Sequence, residues 1–108
     1  MTDDATASLE EVLAAAAANL EDAVTASAPS GGAEWSIDGR VFAAVASGRA
    51  EFRLDPLVAN AALRTPDTSA SQRGRDWVAF APAEVDQHAI DRATAWLASA
   101  WRRADGEG

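Results

Sequence analysis

The sequence contains no cysteine and no lysine, so that all nine of its basic residues are arginine. Without cysteine there can be no disulfide, no thiolate nucleophile, and no cysteine-ligated zinc or iron–sulfur centre. Without lysine there can be no Schiff-base lysine, no P-loop lysine and no lysine general base. The enzyme classes that depend on these groups are therefore excluded.

Long apolar runs are missing as well. The longest one, over residues 12–18, falls far short of the about 20 residues that span a bilayer. The first four residues, MTDD, are acidic, whereas a secretory signal begins with a basic segment. We therefore expect a cytoplasmic location without membrane association, and a length of 108 residues predicts a single domain over residues 1–108.

The charge is negative overall and unevenly distributed. The net charge of −8 argues against tight, non-specific binding of nucleic acid. Residues 1–38 carry acidic residues and no basic one, whereas residues 40–75 carry six arginines against three acidic residues. The middle of an acidic chain is thus locally positive.

Patterns that predict helices occur near both ends of the sequence. Ser8 and Glu11 form a capping-box pattern, and apolar residues at helical spacing predict a helix over residues 9–25. A second amphipathic pattern after Pro82 predicts a helix over residues 83–104. We expect the outer residues, 1–7 and 105–108, to be disordered.

Strand signals occupy the middle. Alternating or continuous apolar residues predict strands over residues 35–37, 41–46, 50–54 and 77–80. Asp38-Gly39 is a hairpin signal, and Asp55-Pro56 predicts the start of a short helix. Residues 64–76 are polar and without periodicity, which predicts one long loop. The fold class is therefore α+β, with an antiparallel sheet of about four strands packed by N- and C-terminal helices.

Arginines in the positive middle segment are the candidate ligand-binding residues. Guanidinium groups suit phosphates and carboxylates, so that convergence of these side chains would create a site for an anionic ligand or an acidic partner. The alternative is that they pair with the protein's own acidic residues, above all with those of the N-terminal helix. The candidates are Arg49, Arg53, Arg64, Arg73 and Arg75.

His88 is the only histidine, and it provides the one catalytic alternative. Glu84 and Asp91 stand four residues before it and three after, so all three can share a helix face as an acid–base group. The other interpretation is a solvated helix face with side-chain pairing. A single histidine predicts neither a metal site nor a cofactor.

Four segments resemble the MmcQ/YjbR-like family of small bacterial proteins, which is related to the N-terminal domain of TfoX-type competence regulators. They are residues 35–43 (WSIDGRVFA), 51–55 (EFRLD), 77–80 (WVAF) and 100–104 (AWRRA). The resemblance covers residues 31–104. It implies a compact α+β fold with a double-wing-like antiparallel sheet, no established enzymatic activity and no catalytic residues.

Taken together, these observations favour a non-enzymatic binding or accessory domain that recognises an anionic ligand or an acidic partner through its arginines. One alternative is a DNA-binding regulator of the double-wing type, which the resemblance and the positive middle segment suggest. The other is an enzyme that uses His88 with Glu84 or Asp91.

Overall fold

A computed structural model of the chain describes residues 8–28 and 31–107. Within these residues, six antiparallel strands form one sheet in the order β1-β2-β3-β4-β6-β5. The elements in chain order are α1 (Leu9–Ala17), β1 (Val24–Ser27), β2 (Ala33–Ile37), β3 (Arg40–Ala46), β4 (Arg49–Arg53), α2 (Pro56–Ala62), β5 (Thr68–Ala70), β6 (Trp77–Phe80) and α3 (Gln87–Gly106). The α+β class and the antiparallel sheet that the sequence predicts are confirmed.

The strands β2, β3 and β4 form the predicted antiparallel meander. Asp38 and Gly39 connect the first two with φ angles of 51° and 81°, and Ser47 and Gly48 connect the next two with 52° and 75°. Two successive residues with positive φ are typical of the hairpin turn whose twist matches that of the flanking strands. The local turn chemistry therefore sets the order of the central strands.

One glycine is required for close packing of the sheet. Gly32 has a φ angle of 81° and lies against β3, where an added Cβ atom would stand 1.9 Å from the carbonyl oxygen of Val45. Because no side chain fits at that distance, only glycine permits this approach of the two strands.

The core lies between one face of the sheet and the helices. The side chains of Trp35, Phe42, Phe52 and Phe80 are completely buried there. Helices α1 and α3 pack against each other and against the central strands. Trp96 of α3 covers two of these rings, with centroids 6.1 Å from Phe52 and 5.2 Å from Phe80.

The first helix is shorter than the predicted residues 9–25. Its capping box is present, since Ser8 Oγ accepts from Glu11 N at 3.1 Å and Glu11 Oε1 accepts from Ser8 N at 2.9 Å. The helix ends at Ala17, and Asp22 then adopts a left-handed conformation with φ of 64°. Aspartate tolerates this conformation better than most residues, so the chain turns there into β1, an edge strand that the helical prediction missed.

The sheet has six strands among the described residues, not about four. The sequence predicts a loop over residues 64–76, yet Thr68–Ala70 form β5 at the edge of the sheet, paired with β6. Thr68 also donates from Oγ1 to the carbonyl oxygen of Ala62 at 3.0 Å, which ties β5 to the end of α2. Three residues are too few for their periodicity to predict a strand.

The last helix begins later and ends later than the predicted residues 83–104. Asp86 caps it by accepting from Ala89 N at 2.9 Å, so α3 starts at Gln87 and not directly after Pro82. It continues to Gly106, so residues 105 and 106, for which the sequence predicts disorder, are helical. Residues 1–7 and 108 lie outside the described residues.

Candidate functional site

Strand β4 carries charged residues on one side of the sheet. Ala50 and Phe52 are completely buried toward the helices, and the alternation of side chains along a strand places Arg49, Glu51 and Arg53 on the opposite side. We call this side the open face, because α1 and α3 pack on the other one.

An arginine bridges two strands across the open face. The pairing register sets Glu34, Ala44 and Glu51 side by side on β2, β3 and β4. Arg73, from the connection between β5 and β6, donates from Nε to Glu51 Oε1 at 2.8 Å and from Nη2 to Glu34 Oε2 at 3.1 Å. Its guanidinium group therefore spans β3 at Ala44, which is only 3 % exposed.

Further contacts fix the β5–β6 connection to the sheet. The buried hydroxyl of Ser71 donates to Glu51 and accepts from Arg73 N at 3.1 Å. The Arg73 guanidinium lies 5.3 Å from the centre of the Trp77 ring, within the range of a cation–π contact. Arg49 approaches more loosely, with Nε 4.0 Å from Glu51 Oε2 and about half of its side chain (47 %) exposed.

This network is ionised at neutral pH. Burial tends to raise the pKa of Glu51, but hydrogen bonds from Ser71 and Arg73 and the charges of Arg73 and Arg49 together hold the pKa below its ordinary value. Burial tends to lower the pKa of Arg73, but the carboxylates of Glu51 and Glu34 raise it above the ordinary value. Both signs of charge therefore persist across the physiological range.

A second group of arginines meets at the C-terminal end of α3. This α3-end cluster consists of Arg40, Arg53 and Arg103 around the carboxylate of Glu107, the residue that caps α3. Arg53 donates to both oxygens, from Nη1 to Oε1 at 2.6 Å and from Nη2 to Oε2 at 2.9 Å. Nε of Arg103 lies 3.5 Å from Oε2, and Nε of Arg40 lies 4.0 Å from Oε1. Because of the hydrogen bonds from Arg53, the pKa of Glu107 lies below its ordinary value and that of Arg53 above it.

The structure brings some of the five predicted arginines together and not others. Arg49, Arg53 and Arg73 lie on the open face, and Arg75 is exposed in the same connection as Arg73. Arg64 follows α2, and no described side-chain contact joins it to the other four. Convergence is therefore partial.

The protein's own carboxylates do engage arginines, as the alternative interpretation of these residues predicts. The partners, however, are Glu34 and Glu51 in the sheet and Glu107 after α3, and not acidic residues of the N-terminal helix. The sequence did not point to Arg40 and Arg103, because Arg40 stands at the very start of the arginine-rich segment and Arg103 stands outside it. Only the topology brings them to the end of β4.

The geometry around His88 differs from the predicted acid–base group. His88 is exposed in the first turn of α3, while Glu84 precedes the helix and so does not share its face. Asp91 accepts a hydrogen bond from Gln87 Nε2 at 2.9 Å. Within residues 8–28 and 31–107, no hydrogen bond joins His88 to either carboxylate, and no cluster of three or more potential ligands could hold a metal ion.

A groove of about 480 Å³ lies between α1 and α3, on the helical side of the molecule. It is formed largely by small or apolar side chains, including Val12, Ala15 and Ile90. Its one charged lining residue, Glu11, is held by the backbone of Ser8. The groove is therefore separate from both arginine groups.

Comparison of the chain with protein families, with curated proteins and with solved structures found no match. The resemblance to the MmcQ/YjbR-like family accordingly stays a prediction. Among the described residues, no helix combines the length and the apolar character needed to cross a membrane. The two arginine groups are therefore the features of the described residues that bear on function.

Proposed function

We propose that this chain is a non-enzymatic binding domain that recognises an acidic segment of a partner protein through the open face of its sheet. The observation that carries the proposal is the ordered group of Arg49, Glu51 and Arg73 on the open face, with the half-buried Trp77 under Arg73 and the exposed Arg75 two residues before it. Guanidinium groups bind carboxylates with directed, charge-assisted hydrogen bonds, and an aromatic ring adds apolar contact area.

Arg73 supports the proposal by ordering the surface rather than by offering a free charge. Its Nε and Nη2 groups donate to Glu51 and Glu34, and these bonds hold the β5–β6 connection on the sheet. Arg75 stands in that connection, so it is presented from an ordered segment. A pre-ordered surface loses less conformational entropy when a partner binds.

The overall charge favours a peptide over duplex DNA as the partner. DNA carries one negative charge per about 1.7 Å of helix axis, and a protein with a net charge of −8 repels such a polymer strongly. An acidic peptide segment has a lower charge density, so local attraction by two or three arginines can exceed the repulsion.

The proposal is tested by fluorescence anisotropy with a labelled ten-residue peptide rich in aspartate and glutamate, at low and at physiological salt. The double variant Arg49→Gln/Arg75→Gln is expected to weaken binding about tenfold, which corresponds to roughly 0.7 kcal/mol for each exposed arginine. The control is Arg64→Gln/Arg102→Gln, which changes the net charge equally at two exposed arginines, one after α2 and one in α3. Equal weakening by both double variants would show non-specific attraction and contradict the proposal.

Duplex DNA in the same titration tests the regulator alternative, which the locally positive segment favours. Saturable DNA binding that falls steeply with salt, and that the Arg49→Gln/Arg75→Gln variant removes, would replace the peptide proposal. We expect no saturable DNA binding at physiological salt.

A further inference from the structure

The α3-end cluster surrounds a single carboxylate with three guanidinium groups from three different elements. Arg40 belongs to β3, Arg53 to β4 and Arg103 to α3, and all three approach Glu107 within 4.0 Å. Arg53 also stands on the open-face side of β4, but among the described residues none of Arg49, Arg73 and Arg75 contacts Glu107, so the cluster involves none of the arginines that the proposed function uses.

Two of the arginines are positioned by groups other than Glu107. Arg40 Nη2 donates to the carbonyl oxygen of Ala104 at 3.0 Å. Arg103 Nη1 donates to the carbonyl oxygen of Leu54 and lies 3.2 Å from Asp76 Oδ2. With these contacts made, Nε of Arg103 lies 3.5 Å and Nε of Arg40 lies 4.0 Å from the carboxylate, and the contacts would persist if the carboxylate left.

The resident carboxylate does not satisfy the donors around it. Both of its oxygens accept from Arg53, which leaves Nε of Arg103 at the outer limit of hydrogen-bond distance, 3.5 Å, and Nε of Arg40 beyond it, at 4.0 Å. Nε of Arg40 is buried and has no hydrogen-bond partner among the described residues. A buried donor without a partner is costly, so the site favours a ligand with more acceptor oxygens.

Other acidic groups neutralise the cluster only in part. Asp76 is close and largely buried (16 % exposed), and it holds the side of Arg103 that faces away from the Nε edge. Asp38 and Asp55 stand 3.8 Å from Arg40 and 3.9 Å from Arg103, and both are mostly exposed (74 % and 62 %), so water screens them. Within 4.0 Å the three guanidinium groups thus face four carboxylates, of which Asp76 and the resident Glu107 are the two that are not mostly exposed.

We propose that Arg40, Arg53 and Arg103 form a binding site for a phosphate monoester, which Glu107 occupies as an internal competitor. A phosphate monoester presents three oxygens, so that it can accept from Arg53 and also fill the Nε donors of Arg40 and Arg103. Glu107 is exposed and follows the last helical residue, so that its side chain can leave without disturbing the core.

The test measures binding of inorganic phosphate in a phosphate-free, low-salt buffer, from the NMR signals of the arginine Nε groups. Removal of the competitor by Glu107→Gln is expected to tighten binding about tenfold, the effect of losing one bidentate charge-assisted pair. The matched control is Glu84→Gln, which changes the net charge equally at an exposed glutamate. The signals of Arg40, Arg53 and Arg103 are expected to shift. Equal affinities of the two variants, or shifts confined to other arginines, would overturn the proposal.

A second variant tests the geometry in the Glu107→Gln background. Arg53→Lys keeps the charge but loses the fork, so it is expected to return the affinity to that of the unmodified protein; unchanged affinity would count against the site. Should this variant fail to fold, the comparison of Glu107→Gln with Glu84→Gln still decides. Arg49→Gln/Arg75→Gln is expected to leave phosphate binding unchanged, which separates this proposal from the open-face one.

The source of the phosphate is decided by two further probes. A phosphoserine peptide and its unphosphorylated form are titrated beside inorganic phosphate with the Glu107→Gln variant. Tighter binding of the phosphopeptide than of inorganic phosphate assigns the site to a modified partner protein, and equal binding assigns it to a small phosphate compound. Tight binding of the unphosphorylated peptide would contradict a phosphate site.

Discussion

The two arginine groups differ in where their carboxylates stand. On the open face, Arg73 is held by Glu34 and Glu51, each of which lies within a strand of the sheet. In the α3-end cluster, Arg53 is held by Glu107, an exposed residue that follows the last helix. The chemistry of the pairs is similar, but the carboxylate partners are anchored to different degrees.

Anchoring decides whether an ion pair is structural or exchangeable. Glu51 lies in a central strand with a side chain that is only 19 % exposed, and it would lose its hydrogen bond from Ser71 as well as that from Arg73 if it turned away. Glu107 can turn into solvent at the cost of its own hydrogen bonds only. An ion pair whose carboxylate is fixed within the sheet orders the surface. An ion pair whose carboxylate can move away can be replaced by a ligand.

The largest expected effect is on stability at the anchored pair. Glu51→Ala leaves the Ser71 hydroxyl without its acceptor and Arg73 with Glu34 alone, so it is expected to lower the free energy of unfolding by about 2 kcal/mol. The measurement is urea denaturation followed by circular dichroism. Glu107→Ala serves as the comparison, and an equal loss in both variants would remove the distinction between the two groups.

Acidification is expected to have a smaller effect in the same direction. The pKa of Glu51 is lowered in the folded state, so its contribution is present above the pKa of the unfolded chain and is lost as the pH falls through the lower, folded pKa. We expect the contribution of this group to stability to be lost as the pH falls below the range in which an ordinary glutamate titrates. In the Glu51→Gln variant, stability should fall less steeply with decreasing pH than in the unmodified protein. An equally steep fall in both proteins would show that Glu51 is not responsible.

The smallest effect is expected at Glu107. Its pKa is also lowered by Arg53, but its side chain is more exposed than that of Glu51 (32 % against 19 %), so Glu107→Ala should cost less than about 1 kcal/mol. Since the Debye length is about 3 Å at 1 M salt, this cost should nearly vanish there, while the cost of Glu51→Ala should largely remain. Stability measured at low and at high salt checks this, and a loss that salt leaves intact would place Glu107 among the anchored groups.

The sequence predicts those parts of the fold whose signals are local. The hairpin at Asp38-Gly39 follows from turn chemistry, and the short helix that begins at Pro56 follows from proline at the first helical position. Strand β1 could not be predicted from local signals, because Leu20 and Val24 continue the apolar spacing of the helix although the chain turns at Asp22. Val24 is in fact 58 % exposed, so the apolar spacing there reflects no buried face.

For the candidate site, the sequence predicts the type of residue that forms it but not which of these residues come together. An arginine-rich segment indicates that arginines matter, and Arg49, Arg53 and Arg73 do share the open face. The convergence of Arg40 and Arg103 depends on sheet order and on the length of α3, which brings residues 40 and 103 to the same end of the molecule. No pattern along the sequence predicts that Arg40 and Arg103 come together.

The bridge made by Arg73 also constrains how the sequence can diverge. Because its guanidinium group crosses β3 at Ala44, a larger side chain there would push it away from Glu34 and Glu51. Over evolutionary time, positions 34, 44, 51 and 73 should therefore change as one covarying set: a lineage that enlarges residue 44 must also give up the bridging arginine and the charges that it neutralises.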